Sequence, residues 1–388
     1  MNRLALACVM FLLVFVSGCS GKHAFPAGEL PVGGEEETYY MKGVWVATAA
    51  NIDYPSGQNL SAEALVDEAE KIVQTCADNG ITAIFLQVRP YSDALYKSDI
   101  FPSSAVITGT QGKDPPIDVL GCFVEKAHEK GIELHAWINP FRITSVTHDM
   151  SGLAHDNPAV IHPEYVIKNY GKGSEPLGLW YDPGIPEVRK LICDGVMEIV
   201  ENYDVDGIHL DDYFYPYDSV VFDDGVSYKK YSDGRRLADF RRDNITALIS
   251  ELREITKSVQ FGVSPCGVWA HKSEETPDGT EGLGATIQAY SDVYADVKKW
   301  VEDGLLDYVC PQLYWSLENE AAPFGTLADW WCGLCEKTGT RLYIGLAAYK
   351  NDLPAWAGEI KRQNIYLESK PVCSGVIYFS YGSIKNGI

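Results

Sequence analysis

Ile132-Glu133-Leu134-His135-Ala136-Trp137-Ile138-Asn139 alternates an apolar series, Leu134, Ala136 and Ile138, with a second series of His135, Trp137 and Asn139. Residues two apart in a strand share a face, so this run is greasy on one side and polar or aromatic on the other. The helical pattern Ile117 to Lys130 precedes it. A strand of this kind, fed by a helix, packs its apolar side under helices and turns its polar side toward a lumen. Seven further apolar runs recur along the chain: Gly43 to Thr48, Ile81 to Arg89, Gly207 to Asp211, Phe261 to Pro265, Tyr308 to Tyr314, Leu342 to Ala347 and Gly375 to Ser380. Between them lie the helical patterns Ser61 to Asn79, Pro186 to Tyr203, Asp233 to Val259 and Tyr290 to Asp303. Ser61 takes the N-cap position of its helix. Strands alternating with helices predict parallel pairing through crossovers. Eight of them predict an α/β fold, a (β/α)8 TIM barrel in a single domain over residues 40–388. No G-x-G-x-x-G or Walker-type run follows an early strand, which excludes a doubly wound nucleotide-binding sheet. Little sequence follows the eighth run, so the final helix is expected to be missing or replaced by other packing.

The 388 residues carry 32 basic and 54 acidic side chains, a net charge of −22. Such a surface repels phosphate backbones, so nucleic acid is excluded as a partner. At the N-terminus, Arg3 precedes an apolar run from Leu4 to Val16, too short to span a bilayer and suited to a signal-peptide core. Val16-Ser17-Gly18-Cys19 follows and resembles a lipobox. Residues 1–18 are therefore expected to be a lipoprotein signal peptide and Cys19 the lipidated, membrane-anchored residue. Residues 19–39, rich in Gly, Pro and acids, would form a flexible tether. The expected location is the cell envelope. The remaining cysteines are scattered through strand and helix patterns, which predicts buried free thiols and no disulfide framework. Cys332-Gly-Leu-Cys335 has redox spacing but sits alone in a helical pattern.

Sorting each run by face collects the polar residues at the C-terminal strand ends: Phe85, Gln87 and Arg89; His135, Trp137 and Asn139; His209 and Asp211; Tyr308, Cys310, Gln312 and Tyr314. A purely structural lumen would use branched apolar residues there, so a ligand site is expected at this face. Asp206-Gly-Ile-His-Leu-Asp211-Asp212-Tyr213-Phe-Tyr-Pro216 is its most acidic element. Glycosidic cleavage uses two carboxyl groups, an acid for the departing oxygen and a nucleophile or base. Asp211 is expected in one role, unless Asp211 and Asp212 merely bond loop amides. The second role is open among Asp93, Asp53, Asp182, Glu318 and Glu320, with Asp93 favoured, and Asp212, placed where the strand turns into its loop, is carried as a further catalytic candidate. Carboxyls roughly 5–5.5 Å apart would predict retention, and roughly 6.5–9.5 Å inversion.

Aromatic residues at the strand ends, among them Trp45, Trp137, Tyr213, Tyr314 and Trp315, offer flat faces for sugar rings. Arg89 and Arg142 serve substrate carboxylates or hydroxyls, or else an internal pair with Asp211 or Asp93. His209, Asn139 and Gln312 complete the expected binding set. A metal reading would need His135, His209 and Asp211 to converge, as in a metal-dependent deacetylase. No tight H-x-x-H or H-x-E motif involves these residues, and no metal or other cofactor is expected. A glycan-binding lipoprotein without catalysis is the rival from another class.

Several blocks resemble the glycosyl-hydrolase-10-like lipoprotein family, formerly a domain of unknown function, which includes a divisome-localised hydrolase of peptidoglycan strands lacking stem peptides. They are Gly43-Val-Trp-Val-Ala-Thr, Asn51-Ile-Asp-Tyr-Pro, Gln87-Val-Arg-Pro, His135-Ala-Trp-Ile-Asn-Pro-Phe-Arg142, Asp182-Pro-Gly-Ile-Pro-Glu-Val, Asp206 to Tyr215, Phe261-Gly-Val-Ser-Pro and Leu306 to Trp315. The resemblance covers nearly all of the chain beyond the tether. It implies a TIM barrel, an envelope location, glycosidase chemistry on a polysaccharide, and Asp211, Asp212, Asn139, Arg142 and Gln312 as site positions.

Overall fold

The computed structural model describes residues 40–217 and 220–385. The proposed leader, Cys19 and the whole tether lie outside the described residues. Eight parallel strands close into a barrel: β1 (Met41–Val46), β2 (Ala83–Arg89), β3 (Glu133–Ile138), β4 (Gly207–Leu210), β5 (Gln260–Val263), β6 (Tyr308–Val309), β7 (Arg341–Leu346) and β8 (Cys373–Tyr378). Sequential strands are neighbours, and β1 pairs with β8 to complete the ring. The main crossover helices are α1 (Ala62–Asp78), α2 (Val119–Glu129), α3 (Pro186–Asn202), α4 (Leu237–Ile255), α5 (Val297–Glu302), α6 (Phe324–Thr338) and α7 (Glu359–Glu368).

Local chemistry sets the ends of these elements. Ser61 Oγ accepts the amide of Ala64 at 3.1 Å, satisfying one of the orphan donors of α1. Leu65, Ala69, Ile72, Val73 and Cys76 then form its buried stripe. The expected helix over Tyr290 to Asp303 divides into Ala289–Asp292 and α5, because Tyr294 takes a positive φ of 56°. The sixth strand is only two residues long. Beyond it Pro311 has no amide hydrogen, and pairing resumes as a single bridge from Gln312 to Gly345. The expected gap after β8 is filled by one helical turn, Tyr381–Ile384. Asp53 holds this end in place by accepting the Gly382 amide at 2.8 Å and the Ser380 hydroxyl at 3.0 Å.

The face assignment holds through the bodies of β1 to β4. Val44, Val46, Ile84, Leu86, Leu134, Ala136, Ile208 and Leu210 join the outer core under the helices. Trp45, Phe85, Trp137, Tyr308 and Tyr343 form an inner cluster. Below the mouth the lumen is plugged by a polar aromatic layer. Trp45 Nε1 donates to His209 Nε2 at 3.1 Å, so Nδ1 of that ring holds the proton and faces the Tyr308 hydroxyl at 3.0 Å. His135 Nδ1 reaches the same hydroxyl at 3.2 Å. Glycine makes room for this layer. A Cβ on Gly207 would stand 2.2 Å from His135 Nδ1, and one on Gly262 would stand 2.2 Å from the Tyr308 ring.

The long connection from Pro140 to Pro183 is not irregular throughout. Val166–Gly171 and Pro176–Tyr181 form an antiparallel hairpin, joined by Val220–Val221 as a third strand. Trp180 Nε1 donates to the Phe214 carbonyl at 2.9 Å, which ties the hairpin to the segment following β4. The eight free cysteines among the described residues are buried except Cys122, which is partly exposed.

Candidate active site

A cavity of about 240 Å³ opens at the C-terminal face of the barrel. Its wall is built strand by strand from Trp45 and Ala47 (β1 and its end), Gln87 (β2), Trp137, Asn139 and Arg142 (β3 and beyond), Asp211 and Asp212 (after β4), Ser264 (after β5), Gln312 and Tyr314 (after β6) and Phe379 (after β8). Tyr213, Tyr217, Ala49 and Ile52 form the rest of the lining. A larger surface groove of about 840 Å³ lies between the Leu95–Asp99 segment and Tyr203. Two of its acids are already engaged: Glu198 accepts from Ser98 and the Asp99 amide, and Asp118 from Tyr203. Strand-end position therefore favours the smaller cavity as the site of chemistry.

Asp211 is nearly fully buried and held from three sides. Trp137 Nε1 donates to its Oδ2 at 3.0 Å, Asn139 Nδ2 donates to the same oxygen, and the Tyr213 amide donates to Oδ1 at 3.1 Å. Asn139 is in turn fixed by Gln87, whose Nε2 donates to Asn139 Oδ1 at 2.6 Å. Asp212 faces the other neighbour of β4. Its Oδ2 accepts from the Tyr217 hydroxyl at 2.6 Å and from Cys266 Sγ at 3.5 Å, and Gln312 lies alongside. Burial raises both carboxyls above the usual carboxylate range, and the charge of Asp212 pushes Asp211 further up. Two carboxyls that disfavour each other's ionisation titrate as a unit and hold a proton to higher pH than either would alone.

The cavity brings together most of the expected residues: Asp211, Asp212, Trp45, Trp137, Asn139, Arg142, Tyr213, Gln312 and Tyr314. Four are placed elsewhere. Asp93 is buried beneath the loop that follows β2, with Oδ2 accepting the Ala105 amide and Gln111 Nε2, each at 3.2 Å. Arg89 also leaves the lumen, because the register of β2 against β3 shifts between Gln87 and Arg89. Its guanidinium donates to the Pro140 carbonyl at 2.9 Å and lies over the Phe101 ring. His209 belongs to the plug under the cavity, and burial together with neighbouring His135 lowers its pKa well below the ordinary value. Trp315 turns away toward Gly267, and its carbonyl accepts from Gln363 at 2.9 Å.

His135, His209 and Asp211 do not converge. Both imidazoles address Tyr308, while Asp211 is taken by Trp137 and Asn139. Among the described residues no group of three or more His, Cys, Asp or Glu side chains is arranged to hold a metal ion. Tyr217, Ser264 and Phe379 were not singled out from the sequence. Ser264 shares its strand face with Gly262, so the alternation that found Asn139 would have found it. Tyr217 lies five residues beyond Asp212 in a loop, where no periodicity applies.

A family model described as glycosyl hydrolase-like 10 matches residues 40–359. Glycosyl hydrolase YngK of Bacillus subtilis (strain 168) is 38% identical over 353 residues, covering 88% of this chain and 68% of that protein. Glycosyl hydrolase DigH of Escherichia coli (strain K12) is 35% identical over 387 residues, covering 91% of this chain and 86% of that protein. Among solved structures, the catalytic domain of a beta-amylase from Paenibacillus polymyxa superposes with a TM-score of 0.56 at 11% identity, covering 89% of this chain and 94% of that one. The PgaB (BpsB) glycoside hydrolase domain from Bordetella bronchiseptica gives 0.52 at 11% identity, with 90% and 95% coverage. At that identity the two structures speak for the barrel alone, whereas the family match spans β1 to β7 with Asp211, Asp212 and Arg142. The chain belongs to the glycosyl hydrolase-like 10 family.

Proposed function

We propose that the protein hydrolyses glycosidic bonds in a cell-envelope polysaccharide, peptidoglycan glycan strands in the first place, with Asp211 and Asp212 as the catalytic carboxyls. The observation that carries this reading is the buried acid pair at the mouth of the barrel, set among Trp137, Tyr213, Tyr314 and Phe379. In this reading the pair shares one proton near neutral pH. The protonated member delivers it to the departing glycosidic oxygen while the ionised member assists attack at the anomeric carbon. Trp137 and Asn139 aim N–H groups at Asp211 and hold its orientation. Tyr217 does the same for Asp212. The aromatic rings stack on the apolar faces of the sugars. Export and a lipid anchor at Cys19 place the enzyme at its substrate in this proposal, resting on the leader pattern of the sequence.

The test is incubation of the purified protein, and of Asp211→Asn and Asp212→Asn, with peptide-free and peptide-bearing peptidoglycan, followed by mass analysis of the products. Release by wild type alone supports the assignment. Equal release by an Asn variant removes that residue from the mechanism, and binding without release by wild type favours a glycan-binding protein.

A further inference from the structure

We infer that Arg142 is a receptor for a carboxylate on the substrate, so that the site selects an acidic glycan over a neutral one. The inference rests on the reading of the cavity as a glycan site. Arg142 lines that cavity. Its guanidinium lies 4.6 Å from the centre of the Tyr213 ring, 5.6 Å from Tyr91 and 5.9 Å from Trp180, a cage built by three separate segments. The hairpin that carries Trp180 is held there partly by a backbone bridge to Arg142 itself. What the cage lacks is an anion. Among the described residues Arg142 makes no ion pair, and its buried Nε has no hydrogen-bond partner. The other arginine caged by three rings among the described residues is different: Arg241, over Tyr215, Phe222 and Tyr294, is gripped by both oxygens of Asp224 at 2.6 and 2.7 Å.

Asp211, which feels the charge of Arg142, does not fill the gap. The positive charge of Arg142 favours ionised Asp211, yet the oxygens of Asp211 are already committed to Trp137, Asn139 and the Tyr213 amide. A stacked guanidinium with unused N–H groups matches a carboxylate in a planar, two-point geometry that a hydroxyl cannot reproduce. In a chain of net charge −22, such a group also provides local attraction for an anion that the rest of the surface repels. Two sources of this chemistry exist in envelope glycans: a lactyl ether carboxylate free of peptide, and a uronic acid ring.

The experiment compares kcat/KM of wild type, Arg142→Gln and Arg142→Lys on four probes. These are peptide-free peptidoglycan strands, the same strands with carboxylates converted to methylamides, hyaluronan and chitin hexamer. The expected result is a loss of roughly 30-fold on amidation for wild type, falling below about threefold in Arg142→Gln, with partial recovery in Arg142→Lys. Preference for the strands or for hyaluronan identifies which carboxylate is read. Equal wild-type rates on free and amidated strands overturn the inference. So does an Arg142→Gln variant that keeps the wild-type ratio; if its pH profile alone shifts, Arg142 serves only to orient and ionise Asp211. The same ratio is read as dissociation constants in an Asp212→Asn background. If no probe is cleaved, the hydrolase proposal fails, while the binding ratio still decides the role of Arg142. Arg142→Lys, which keeps the charge over the rings, covers the case in which the Gln variant does not fold.

Discussion

Replacing Asp212 by Asn should abolish turnover and at the same time stabilise the fold, increasingly so as pH rises. Asp212 is buried beside Asp211, and burial raises both carboxyls above their ordinary range, with Asp211 raised further by the Asp212 charge. A carboxyl whose folded pKa exceeds its unfolded value contributes stability that is fully present below the unfolded pKa and is lost as pH rises through the folded one. Wild type should therefore lose stability from about pH 4 upward as the pair is forced to ionise. Asn cannot ionise, and the partners of Asp212 tolerate it, because the Tyr217 hydroxyl and the Cys266 thiol can both rotate to accept from an amide. Burial and the Asp212 charge push Asp211 up to about 7, so removing that charge is expected to stabilise the fold by roughly 1–3 kcal/mol at pH 8 and by close to none at pH 4. For a barrel of this size that is a rise in Tm of roughly 2–6 °C. Thermal unfolding at pH 4.5, 6 and 8 measures it. If the difference between Asp212→Asn and wild type does not grow with pH, the acid pair is not strained as described, and the argument that it shares a proton fails with it.

Trp137→Phe removes the N–H that favours ionised Asp211, so the alkaline limb of the pH–rate profile should move up by roughly one unit; an unmoved limb would place that titration elsewhere. Asp93→Asn should keep turnover within about threefold of wild type, because Asp93 lies outside the cavity. A loss of a hundredfold or more at an unchanged melting temperature would restore it as a catalytic candidate. Gly262→Ala should lower stability by roughly 2 kcal/mol or more, since the new methyl group meets the Tyr308 ring in the plug; calorimetry showing a neutral effect would mean that the plug is looser than its hydrogen bonds imply.

The plug also explains why some of the site was legible in advance and some was not. Period-two alternation located the lumen face correctly in β2, β3 and β4, and with it Trp137, Asn139 and Asp211, because a strand cannot present adjacent residues to one side. Alternation fails where the ladder does. The register shift after Gln87 turned Arg89 out of the barrel, although its number in the run pointed inward. It also carries no information about depth, so His209 was counted with the site when it lies one layer below, bonded to Trp45 and Tyr308. Asp93 and Trp315 were chosen for following a strand, but side chains in loops take their direction from whatever they pack against.

From the sequence alone came the ring of eight strands, the strand faces that line its lumen and the place of Asp211 among them, since each follows from a repeating pattern whose period is set by backbone geometry. Only the tertiary structure decided which acid lines the cavity beside Asp211 and the state of the arginines. Asp212 joins Asp211 because the chain bends immediately after Leu210, and Arg142 is left without an anion because the hairpin and two loops supply rings where a carboxylate would otherwise stand. Such relations are fixed by contacts between segments far apart in the chain, and no local period records them.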